Sequence, residues 1–205
     1  IQALTTATDG QIAALTTRQL TELTSSQLTS LTAGAGGQIA ALTSTQVLNL
    51  QASQIASLTT DQIQALETAD IAALKAAQIQ ALTTGATGRV AAMSSTQVAA
   101  LTSDQAAKLS GAQVASLTPG QVAGLETADL SAVTTTAIQS LTTDALQALS
   151  TGTNGQIASL TTNQVAALTT TQLTALTVEA DGQIASLTTD QVANLTTTQV
   201  SKLTT

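Results

Sequence analysis

The closing apolar residue of a short phrase returns every eight positions, and that spacing constrains this chain more than any other feature. The segment LTTDQIQAL, Leu58 to Leu66, comes back as LTSDQAAKL from Leu101, LTTNQVAAL from Leu160 and LTTDQVANL from Leu187. Its last residue falls at Leu42, Leu50, Leu58, Leu66, Leu74 and Leu82, and again from Met93 through Leu101, Leu109, Leu117, Leu125, Val133, Leu141 and Leu149. An inner apolar residue stands three positions earlier, as in Ile55, Ile63, Ile71 and Ile79. A repeat this short cannot enclose a core alone, so neighbouring units have to complete it.

Three conformations compete for the octad. In one continuous α-helix, eight residues advance about 800°, so the apolar stripe drifts round the helix and buries nothing consistently. Paired β-branched threonines weaken that option further. A β-solenoid suits Thr, Ile and Val, but the apolar offsets of zero, five and eight straddle both faces of a strand. A short helix restarted in each unit satisfies every local signal. Thr59-Thr60-Asp61-Gln62 is a capping box: the Thr59 hydroxyl accepts from the Gln62 backbone N–H and the Gln62 side chain returns to the Thr59 N–H. Leu58 before the cap and Ile63 at the fourth helical position form the hydrophobic staple, and Asp61 suits the positive end of the helix dipole. The expectation is an all-α solenoid of very short capped helices, one per octad, with a β-solenoid as the alternative. In it Leu, Ile, Val and Ala fill the interior, while Thr, Ser and Gln cap helices and face water.

Residues 1–205 read as a single continuous array. Five units are lengthened to eleven residues by Gly-containing inserts, at 5–15, 32–42, 83–93, 150–160 and 177–187. Asp9-Gly10, Asn154-Gly155 and Asp181-Gly182 are turn dipeptides that tolerate positive φ. Successive inserts lie three, six, eight and three units apart, which suggests loops tolerated at scattered points and no register mark. The chain opens inside a unit (Ile1-Gln2-Ala3-Leu4) and closes on Thr204-Thr205, and neither end has the polar character of a cap. That leads us to expect a window of a longer array, or one segment of an end-to-end polymer.

Composition narrows the function. With no His and no Cys, the usual general base, thiol nucleophile and commonest metal ligand are missing, so an enzyme is not expected, nor a cofactor, metal site or small-molecule substrate. Five scattered cations, Arg18, Lys75, Arg89, Lys108 and Lys202, against a net charge of −7 give no footprint for nucleic acid. No stretch approaches the roughly 20 apolar residues of a membrane span, so no membrane insertion is expected. Asp61, Asp104 and Asp190 read as first-turn helix charges. LETAD, at Leu66 to Asp70 and Leu125 to Asp129, reads as a capping box with Glu67 or Glu126 in place of Thr and Asp70 or Asp129 in place of Gln. The insert acids Asp9, Glu179 and Asp181 lack the tandem spacing of calcium rolls and read as turn residues. Lys75 and Arg89, standing for a capping Thr and a Gln, read as exposed substitutions.

Two resemblances attach to these phrases. LTPGQVAGL, Leu117 to Leu125, is similar to the helix start in the DNA-binding repeats of TAL effectors, over one unit only. The longer repeat, the base-reading pair and the positive charge of that family are absent, so its function does not transfer. The run of LTTxQIxAL octads resembles the low-complexity regions of large secreted or surface proteins of proteobacteria. That resemblance implies an extracellular or cell-surface location and a scaffold, stalk or fibre role, with no residue to transfer. The resulting expectation is a structural repeat protein forming an extended extracellular rod, stalk or filament by self-association. The alternatives are an ice-binding protein presenting a regular Thr array, and the spacer of a surface adhesin.

Overall fold

In the computed structural model, residues 3–6 and 10–203 are described. Ile1, Gln2, Asp9, Thr204 and Thr205, on which some of the readings above bear, lie outside them. The described residues form twenty helices of four to seven residues and no strand, which is the all-α solenoid of capped helices and not the β-coil. The regular octads follow one plan, while the insert units at 32–42 and 177–187 fold as turns without a helix, so the expected helix per repeat is not formed there. Thr59 is extended (φ −72°, ψ 166°), the helix runs Thr60–Ala65, and Leu66 is extended again (φ −65°, ψ 137°). The helix stops because Leu66 turns its carbonyl away and the next N-cap, Glu67, needs β geometry to accept its own box. The two extended residues make a corner, and the chain changes direction there.

The chain divides into two compact units, Ile1–Ala100 and Leu101–Thr205. Within each, helices stack on the helix three octads away. In the first, Ser44–Asn49 packs on Thr68–Ala73 and Thr60–Ala65 on Arg89–Ala92. In the second, Ser103–Ala106 packs on Thr127–Ala132 and Pro119–Gly124 on Thr143–Gln147. Three octads therefore complete a turn. The inner position is sealed: Ile55, Ile63, Ile71, Val122, Val165 and Leu173 have no exposed surface. The closing leucines, such as Leu58, Leu66 and Leu168, join them in the core. Helices of this length do not persist alone, so burial between turns holds them.

Three octads per turn change the meaning of the inserts. Within the first compact unit they lie three and six octads apart, and within the second three apart, all multiples of a turn. They therefore fall on one edge of each unit, contrary to the scattered placement the spacing first suggested; the interval of eight bridges two different units. The inserts at 32–42, 150–160 and 177–187 bulge out between the cap and its Gln and leave the box intact: Gln38 N–H donates to Thr32 Oγ1 (2.9 Å) and Gln156 N–H to Ser150 Oγ (2.9 Å), six residues apart instead of three. At 83–93 Arg89 cannot accept from the cap, and its N–H bond to Thr83 Oγ1 (3.2 Å) is the half of the box that remains.

The turn dipeptides also work differently from the expectation. Gly155 has φ −77°, a value any residue adopts. It is glycine because a Cβ would run into the carbonyl of Thr151 on the returning loop. Positive φ falls earlier in the loop, at Gly152 (φ 90°). Gly155→Ala is expected to cost about 1–3 kcal/mol, since backbone must give way, and Gly152→Ala about 1 kcal/mol for its left-handed conformation. Thermal melts of the two variants rank them.

Candidate functional site

Among the described residues, the buried polar side chains are the box glutamines and two aspartates, Asp70 and Asp129. This overturns the expectation that Gln faces water. Gln62 shows why. Its Oε1 accepts from the Thr59 N–H (3.0 Å) and its own N–H donates to Thr59 Oγ1 (3.2 Å), which is the expected box. Its Nε2 then donates to the carbonyls of Leu28 (2.8 Å) and Leu31 (2.9 Å). Those carbonyls end the helix four octads earlier, at the corner one turn below. Gln164 repeats the pattern in the second unit, with Thr161 N–H at 2.8 Å and the carbonyls of Leu130 and Val133 at 2.9 and 2.6 Å. So do Gln54, Gln97, Gln172 and Gln191.

A primary amide serves both sides of this place. It has one acceptor oxygen for the cap above and two N–H donors for the carbonyls below, whereas a carboxylate only accepts. The arrangement ties helix capping to turn stacking in one side chain. Repetition of Gln at a position assigned to solvent was the available signal, because an exposed cap partner has no reason to be so uniform along the chain.

Other residues at this position make different contacts. Arg89 is half-buried, not an exposed substitution: its Nε donates to the Leu58 carbonyl at the corner below and its Nη1 to Thr83 Oγ1 (3.0 Å). In octads 134–141 and 142–149 the place is held by Ala137 and Ala145. There Gln139 and Gln147, on the helix surface, donate instead to the carbonyls of Ala167 and Ala175 in the next turn (2.8 and 2.7 Å). Lys75 is exposed, as expected.

The acids fall into three environments. Asp61, Asp104 and Asp190 sit in the first turns of their helices. Glu179 and Asp181 are exposed on an insert; Asp9 lies outside the described residues. Asp70 takes the Gln place, accepting from the Glu67 N–H through Oδ2 (3.1 Å) and from Ser44 Oγ through Oδ1 (2.9 Å). Asp129 keeps the equivalent serine, with Ser103 Oγ at 2.7 Å. The acid-for-Gln box therefore forms at Glu67–Asp70, while the helix after Glu126 has no side-chain cap bond. No group of three acids gathers among the described residues, and none of their helices is long and apolar enough to cross a membrane.

Open clefts lie along the insert edges. One of about 670 Å³ runs between the loop at Gly34 and Gly36 and the octad bearing Asp61, with Gln64 and Glu67 on its rim. Another, of about 290 Å³, separates Gly152 and Thr153 from Ala180 and Asp181. Both are lined mainly by backbone and small side chains, with the carboxylates of Asp61 and Glu67 on the first and of Asp181 on the second.

No curated protein and no solved structure matches the chain significantly. Residues 122–153, the stretch that includes the two alanine-substituted octads, match the ALTTAQ repeat. On that match, and on its stack of short helices, the chain is a helical repeat protein carrying an ALTTAQ repeat.

Proposed function

We propose that this chain is a structural element, an extended rod, stalk or filament that works outside the cell and associates with its own kind. The observation that carries the reading is the corner glutamine. In the regular turns, glutamines fill carbonyls left by the turn below, as Gln62 does for Leu28 and Leu31, and inner residues such as Ile55, Ile63 and Val165 are sealed by a neighbouring turn. Nothing in such a turn closes it off, so stability accrues with repeat number by nearest-neighbour terms. The composition agrees: sparse charge and many hydroxyls. The extracellular location rests on the resemblance of the octads to secreted and surface repeat regions, and immunolabelling of intact cells tests it.

Small-angle X-ray scattering tests the rod directly. The expected radius of gyration is well above the about 17 Å of a compact chain of this length. A value near that figure, unchanged with concentration, overturns the reading. Sedimentation velocity at rising concentration is expected to show end-on association, and a constant monomer would remove the filament.

A further inference from the structure

The corner at Asp70 is built differently from its neighbours. Asp70 is 2 % exposed and occupies the place from which Gln elsewhere donates to the corner below. Its carboxylate has no donor to offer, and among the described residues no side-chain amide bonds to the Leu42 carbonyl, the equivalent of Leu31 for Gln62. Ser44 on the helix one turn below donates to Oδ1 instead. A cleft of about 500 Å³ opens at the same corner, lined by Ala41, Leu42, Thr43, Ser44, Glu67 and Asp70 among others. A corner with a donor missing and a cleft beside it is held less firmly than one closed by an amide.

We propose that this corner is an acid-set seam: ionising Asp70 loosens the attachment of Thr68–Ala73 to Ser44–Asn49, and protonating it locks the two turns together. The neutral carboxyl accepts from the Glu67 N–H through Oδ2 and carries a proton on Oδ1, which then donates to Ser44 Oγ in place of accepting from it, so it resembles the amide it replaces. The carboxylate is a charge in a nearly sealed site. The helices packed on Thr68–Ala73 are Ser44–Asn49 and Ser95–Ala99, and neither bears a titratable group. The insert unit below, 32–42, has none either, which leaves Glu67 as the charged neighbour within the octad. Burial pushes the Asp70 carboxyl above its usual 3.8, the bonds from Ser44 and the Glu67 N–H pull it down, and the Glu67 charge pushes it up again. A carboxyl raised in the folded state contributes stability that is complete below the unfolded value and is lost as pH rises through the folded one.

The test is thermal melting of the full chain, followed by circular dichroism, for wild type, Asp70→Gln and Asp70→Asn between about pH 3 and pH 7. Asp70→Gln restores the amide, and its Tm advantage over wild type is expected to grow by about 2–4 °C from the acid to the neutral end. Contributions of the carboxylates remote from Asp70 cancel in that difference, and the part of Glu67 that depends on the Asp70 charge belongs to the same seam. Asp70→Asn keeps the shorter side chain and removes the charge, so it decides the matter if the longer Gln crowds Ser44. A difference that stays constant with pH in both variants, or that shrinks as pH rises, overturns the proposal.

Discussion

Gln164→Ala is expected to lower stability by about 3–5 kcal/mol, a large loss for a side chain that sequence logic placed on the surface. Three attachments go at once. The Thr161 N–H loses its acceptor at 2.8 Å, and the carbonyls of Leu130 and Val133 lose donors at 2.9 and 2.6 Å. These groups lie at a corner where Gln164 is 1 % exposed, so water cannot replace the missing partner without opening the turn. Gln164→Glu discriminates between the two roles of the side chain. It keeps the acceptor for Thr161 but turns a charge onto two carbonyl oxygens, and it is expected to be worse than alanine at neutral pH. Urea denaturation of the three proteins gives the order. If alanine costs under about 1 kcal/mol, the downward bonds do not hold the turns together.

The second large effect compares one substitution at two equivalent places. Val165 and Val192 occupy the inner position of their octads, but Val165 is fully buried and Val192, in the last described turn, is 49 % exposed. Val165→Ala is expected to cost about 2–3 kcal/mol, the transfer of two methyl groups plus the cavity they leave. Val192→Ala is expected to cost less than about 1 kcal/mol. Local sequence, helix and capping box are nearly the same in both octads, LTTNQVAAL and LTTDQVANL. Any difference in cost therefore measures what a covering turn contributes. Equal costs would mean that each octad stabilises itself, against the nearest-neighbour account.

The capping chemistry was legible from the primary structure because every group involved lies within four residues. Thr59, Gln62, Leu58 and Ile63 specify a helix start by spacing alone, and the structure places that start where the spacing does. The same holds for the acids at Asp61, Asp104 and Asp190. Gln62 was half legible: its Oε1 serves a local N–H, but its Nε2 serves carbonyls 31 and 34 residues away. The half that reaches across the turn decides that the side chain is buried. Arg89 was misjudged for the same reason, since its partner at Leu58 is 31 residues distant. Gly155 and Gly182 were read as turn residues tolerating positive φ, when a loop returning onto itself supplies the constraint.

What the residues settle unaided is the unit: a self-capped helix of about a turn and a half, its ends, its apolar positions and the sites where loops are let in. Those follow from hydrogen bonds and side-chain contacts a few positions apart, which any octad of this composition repeats wherever it stands. What the tertiary structure alone decides is the turn: three octads, inserts aligned on one edge of each compact unit, and an amide at each regular corner bonded to the corner below. That number depends on the angle at each Leu–Thr corner and on which carbonyls lie within reach of an amide some thirty residues further along. A repeat in which every octad is nearly the same as the next carries no mark of which neighbour it will meet.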